Sequence, residues 1–163
     1  VMFVSFFPIF MIKNQFSQDI ALQFVTITLV GGVICQPLIG ILLDKMNKRL
    51  LMNIAVFCTF ICPIIIGVFL GNFYLVALSC FIWGGAASGI FSISLTMLGE
   101  RYTASQVAGA TAILVMVFEC GSLIGPLIGG RVMDIVGPIG FIYTIVFFTF
   151  SFLMISIYRT IRN

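Results

Sequence analysis

The chain has 163 residues, 61% of them apolar and 8% charged, with a net charge of +3 and no histidine. Soluble domains carry about a quarter charged residues, so a water-soluble fold is excluded and most of the surface must meet lipid. The missing histidine removes the commonest general base and the usual zinc ligand, and the scattered basic residues form no nucleic-acid patch.

An uncharged run of about 20 residues crosses the hydrocarbon core as a helix. Five such spans are expected, near 20–43, 50–70, 73–98, 106–130 and 139–158. Before them, residues 1–12 (VMFVSFFPIFMI) are equally apolar but too short to span, with Pro8 placed to kink them. Position 1 is valine, so the chain is expected to begin inside a sixth helix. A cleaved signal peptide fits this start poorly, because a basic n-region and a small-residue cleavage site are both lacking.

In the span near 20–43, Gln36 stands deep in apolar sequence directly before Pro37, with Gly32 on its face and Thr28 less closely so. A buried amide must find a partner, which is either another helix or a substrate. Cys58 and Cys62 lie one turn apart in the next span and suit a soft-metal pair by spacing. With no third ligand nearby they are read, like Cys35, Cys80 and Cys120, as small packing residues. The fourth segment carries Tyr74 as an interfacial anchor, Trp83 as a residue reaching a cavity, and the small-residue face of WGGAASG, with Gly84, Gly85, Ser88 and Gly89.

The span near 106–130 contains Glu119, alone among charges in ILVMVFECGSLIGP. An ionised carboxylate at the bilayer centre costs about 3 kcal/mol on insertion scales, so it is expected to face protein or a water-filled cavity. At 100° per residue, Thr111, Val115 and Ser122 share its face, while Gly121, Gly125 and Gly129 form a groove turned away from it. Such grooves allow close helix packing. Two readings stand for them, static contact and a smooth surface on which helices slide. Pro126 removes one helical hydrogen bond and bends the segment.

PLIGILLDK at 37–45 and PLIGGRVMD at 126–134 open with the same four residues and each closes on an aspartate. They fall on the second helix of each group of three and run in opposite directions, as a 3+3 inverted repeat requires. With six alternating helices, Lys45, Lys48, Arg49, Arg101, Arg159 and Arg162 lie on one side and Lys13 and Arg131 on the other. That imbalance assigns the first side, with the C-terminus, to the cytoplasm.

The run Gly40-Ile-Leu42-Leu-Asp44-Lys45-Met-Asn47-Lys48-Arg49 resembles the G-x-L-A-D-R-x-G-R-R loop signature of the major facilitator superfamily. Leu43 replaces a small residue there, and Asn47 replaces a glycine, asparagine being the best substitute where a left-handed turn is needed. Gly121-Ser-Leu-Ile-Gly125-Pro126-Leu-Ile-Gly129-Gly130 is similar to the family's G-x-x-x-G-P-x-x-G-G helix, followed by Met133-Asp134 and Gly137-Pro138 as in bacterial members. Glu119 departs from the pattern, which has an uncharged residue at that point.

The resemblance implies an all-α integral membrane domain of residues 1–163, equivalent to helices seven to twelve of such a transporter, the first incomplete. It implies that Asp44, with the basic residues behind it, latches two transporter halves in the outward-facing state; the alternative is that the cluster serves topology alone. It further implies transport of a small solute by alternating access, in a bacterial inner membrane and without a cofactor, with either the N-terminal half or a second copy as partner. The absence of a nucleotide-binding loop favours an ion gradient as the driving force. The alternatives are a non-functional piece of a split or decaying gene and a self-associating half-size carrier. An enzyme is not expected, since paired carboxylates and an activated nucleophile are both lacking. Substrate and direction of transport are not readable from these residues.

Overall fold

The computed structural model describes Met2 to Arg162, with side chains from residue 4 to residue 160. Six helices follow one another: α1 (Met2–Lys13), α2 (Gln18–Lys45), α3 (Lys48–Val68), α4 (Phe73–Arg101), α5 (Ala104–Val136) and α6 (Gly140–Arg162). Five of them, α2 to α6, are long and apolar enough to cross a membrane. All five expected spans appear, and α1 is the short apolar helix read from residues 1–12.

Short polar residues set the helix starts. The Ser17 hydroxyl accepts the Ile20 amide at the head of α2, the Asn47 carboxamide accepts the Arg49 amide at α3, and the Asn72 carboxamide accepts the Leu75 amide at α4. Asn47 is the one local correction. It lies in extended backbone at φ −62° and ψ 119°, so it is no left-handed stand-in for glycine. Its side chain satisfies a helix-end donor, which glycine cannot do. The left-handed region is occupied by Gln15 (φ 68°) between α1 and α2 and by Gly137 (φ 88°), which ends α5. That stop comes after Val136, so α5 continues through Pro126 and beyond the expected limit near 130, taking Arg131 and Asp134 into the helix.

Connections as short as residues 46–47 and 102–103 force neighbouring helices antiparallel. α4 packs on α2, α3 and α5, and α1 packs on α2, α5 and α6. α3 and α6 pack on each other, α2 also meets α3, and α5 meets α6. Among the described residues no Cα of α4 comes within 8 Å of one of α6.

The core has two parts. One gathers side chains from all six helices around Phe7, Phe10, Phe24 and Phe141, with Ile66 of α3 and Met133 of α5. The other, built on Ile39, Leu43, Leu51, Ala55 and Ile93, draws its buried residues from α2, α3 and α4 only. In lipid there is no water-exclusion drive between helices, so these contacts hold by dispersion and close fit. The rings act accordingly: Phe7 and Phe141 have centroids 6.1 Å apart, and Phe10 and Phe141 5.6 Å.

Candidate functional site

The tightest seam joins α2 to α4, and glycine makes it possible. A Cβ on Gly84 would collide with the Thr28 carbonyl, and one on Gly31 would collide with the Phe81 carbonyl. Each helix thus seats a backbone oxygen in the other's glycine notch. One turn on, a Cβ on Gly85 would lie 2.5 Å from the Cys35 Sγ. The small-residue face read from WGGAASG is this seam, and its counterpart on α2, Gly31, escaped notice because a Gly-Gly pair within an apolar run carries no periodic signal.

Polar side chains continue the seam from mid-span toward the C-terminal ends of both helices. Ser88 Oγ donates across the helices toward the Gly32 carbonyl at 3.2 Å while lying 3.0 Å from the Gly85 carbonyl on its own helix. Next, Ser92 Oγ donates to Gln36 Oε1 at 2.9 Å. Gln36 therefore has an interhelical partner through its oxygen, and its Nε2 makes no hydrogen bond among the described residues. Ser92, one turn beyond Ser88, was the partner to look for on the i, i+4 repeat of Gly84, Ser88 and Ser92.

α5 differs from the rest. Only Gly129 and Met133 among its residues are buried. It is held to α4 by Phe118 against Phe91, with ring centroids 5.3 Å apart, and Gly130 faces the Phe6 ring of α1. Glu119 lies on its exposed surface, where Ser122 Oγ approaches the Glu119 carboxylate at 3.0 Å and the Glu119 carbonyl at 2.9 Å. One hydroxyl proton is thus shared between two acceptors of its own helix. Thr111, two turns earlier, is half-buried, and Val115 is partly exposed. Gly121 has open space where a Cβ would be, so this part of the glycine groove receives no helix among the described residues.

On α2, Asp19, Gln23 and Thr26 line a shallow groove of about 650 Å³ with Leu22 and Ile27. Sequence reading passed over them, although the three recur at helical spacing on one face. Trp83 is half-buried and packs against the larger core cluster, and Tyr74 is highly exposed at the head of α4.

At the other end of the bundle the loop-signature residues separate by role. Gly40, Asp44 and Lys45 are exposed, Gly40 has no neighbour where a Cβ would lie, and Asp44 makes no ion pair among the described residues. Lys48 pairs with Glu100 at the end of α4. Nearby, Asn53 of α3 accepts from Ser156 Oγ at 2.5 Å and donates to Thr160 Oγ1 at 3.1 Å, both on α6. Lys48, Glu100, Ser156 and Thr160 border a cleft of about 1040 Å³ between the ends of α3, α4 and α6. No group of three His, Cys, Asp or Glu among the described residues is placed to hold a metal.

The sequence profile of the Major Facilitator Superfamily matches residues 1–163, the whole chain. The chain belongs to the major facilitator superfamily. It is an integral membrane protein of that transporter family, with five helices of membrane-spanning length. It is 25% identical over 128 residues to the uncharacterized MFS-type transporter YfkF of Bacillus subtilis (strain 168). The match takes in 78% of this chain and 32% of that protein, so the chain spans about a third of its length. No solved structure matches.

Proposed function

We propose that this chain works as the C-terminal half of a major facilitator secondary transporter, moving a small solute by alternating access with energy from an ion gradient. The observation that carries the reading is Glu119, a carboxylate exposed at mid-span on a helix that contributes almost nothing to the core, with its hydrogen bond confined to its own helix. A group so expensive to leave in hydrocarbon belongs at a polar cavity, and it is the natural carrier of a coupled proton. Gln36 supports the same reading through its amide nitrogen, as a substrate contact beside the α2–α4 seam.

A 3+3 inverted repeat accounts for the packing. Exchanging α1 with α4, α2 with α5 and α3 with α6 turns every observed helix pair into another observed pair. Antiparallel neighbours then make the second triplet the first turned over, with Asp44 and Asp134 at opposite ends of the bundle. The excess of Lys and Arg puts the end bearing Asp44, and the C-terminus with it, on the cytoplasmic side of the inner membrane.

The exposed apolar faces of α2 and α5, with Val33 72% and Leu123 74% exposed, take an N-terminal half or, in a second reading, another copy of this chain. In proteoliposomes holding the chain, alone or co-reconstituted with a six-helix N-terminal half, an imposed pH gradient is expected to drive uptake of a solute from a screened set. Glu119→Gln is expected to abolish the dependence on that gradient while leaving solute exchange. Unchanged gradient-driven uptake in Glu119→Gln would refute the coupling role. Cysteine crosslinking at Met116 separates the two partner readings, since only the second gives a homodimer.

A further inference from the structure

We propose that the cleft between α4 and α6 binds an anionic phospholipid, with its phosphodiester among the basic side chains at the mouth and its upper acyl segments against the apolar wall. This goes beyond transport and does not depend on it.

Charge is the first observation. Lys48, Arg49, Arg101 and Arg159 line the cleft, which is half of the chain's eight basic residues gathered at one end of the bundle. The acidic residue lining it is Glu100, already paired with Lys48. Arg49 and Arg101 make no ion pair among the described residues, so they carry positive charge that an anion would neutralise, and an arginine fork matches the oxygens of a phosphodiester.

Shape is the second. α4 and α6 each pack on α3 while their own backbones stay apart, with no Cα pair within 8 Å among the described residues, so α3 forms a floor between two walls. The smaller core cluster, at this end, has no buried member from α6 and leaves the gap unfilled. The volume, about 1040 Å³, is at the upper end of the range for small-molecule sites.

The third observation is the gradation from polar to apolar. Arg101 lies at the mouth and Ser94, seven residues earlier on α4, lines the interior, which is about 10 Å deeper at 1.5 Å per residue. Below the basic mouth the wall is made by Met52, Met97, Phe152 and Ile155. Phe152 and Ile155 are also 42% and 56% exposed, so the cleft opens sideways toward the bilayer. A free phosphate would use the mouth and leave the apolar wall bare. A phospholipid uses both, and basic pockets between membrane helices suit anionic headgroups.

The test is lipid retention by the purified full chain, read by native mass spectrometry from equimolar phosphatidylglycerol and phosphatidylcholine of identical acyl chains. Phosphatidylglycerol is expected to be retained at least about fivefold over phosphatidylcholine. Arg49→Gln and Arg101→Gln are each expected to lower that preference about fivefold, following the contribution of one basic residue near an anionic surface. Arg131→Gln, at the opposite end, is expected to leave it unchanged. Equal retention of the two lipids by the unaltered chain overturns the proposal, even if a variant fails to fold. So does an equal loss with Arg131→Gln.

Two further arms identify the occupant. Displacement of phosphatidylglycerol by inorganic phosphate at comparable concentration would make this a free-anion site and overturn the lipid assignment. A photo-crosslinker at Met97 is expected to yield a lipid adduct in native membranes. A polypeptide adduct in its place would show that a protein segment fills the cleft, and would overturn the proposal as well.

Discussion

The α2–α4 seam makes the sharpest demand on sequence, and Gly84→Ala tests it. The added methyl group meets the Thr28 carbonyl, which is backbone and cannot rotate aside, so the helices must part. Overpacking of this kind costs about 1–3 kcal/mol. Parting also weakens the Ser88–Gly32 and Ser92–Gln36 hydrogen bonds. Interhelical bonds in membranes are worth about 0.6 kcal/mol each on average. The sum is about 2–4 kcal/mol, or about a 30- to 800-fold shift in the unfolding equilibrium.

The internal control is Gly121→Ala. It introduces the same methyl group into open space and replaces glycine by a better helix former, so the expected change is within about 0.5 kcal/mol of zero or slightly stabilising. The measurement is unfolding of the purified chain in mixed micelles, followed by helicity. A second readout is maleimide labelling of Cys35, whose sulfur sits against Gly85 and should become more reactive only when the seam opens. If Gly84→Ala and Gly121→Ala unfold alike, and Cys35 reacts at the same rate in both, the close approach of α2 and α4 is wrong.

Three other outcomes are expected. Ser92→Ala strands the Gln36 oxygen and should destabilise by about 1 kcal/mol, whereas adding Gln36→Leu should recover most of the loss, because removing both partners is gentler than removing one; unfolding of the single and double variants checks the sign. Asn53→Ala breaks both of its contacts to α6 and should cost about 1–2 kcal/mol, with a coupling to Ser156→Ala of at least about 0.5 kcal/mol in a double-mutant cycle. Lys48→Met removes an ion pair whose carboxylate partner is 58% exposed, so its effect on unfolding should stay below about 1 kcal/mol and fade as salt is raised.

What the residues made legible in advance follows from which forces act locally. The spans could be read because the bilayer imposes one requirement on every residue of a crossing helix, and 20-residue apolar runs meet it visibly. Asn47, by contrast, was misjudged from its neighbours alone. The same side chain suits a left-handed turn and a helix cap, and only the direction of the following helix decides between them. Gly31 and Ser92 were passed over for a related reason. Their importance lies in what another helix, 50 or more residues away in the chain, places opposite them.

Glu119 shows the limit from the other direction. Its charge marked it at once, since nothing local explains a carboxylate amid Phe118, Cys120 and Leu123. The structure adds a hydroxyl partner one turn away and an exposed surface, and both belong to α5 itself. A residue satisfied only within its own helix, on a helix scarcely built into the core, has its remaining bonding capacity turned away from the bundle. The glycine groove behaves alike, buried at Gly129 and open at Gly121. α5 is therefore fitted to this bundle along one edge and exposed along the rest, and Glu119, which its charge marked in the sequence, lies on the exposed side.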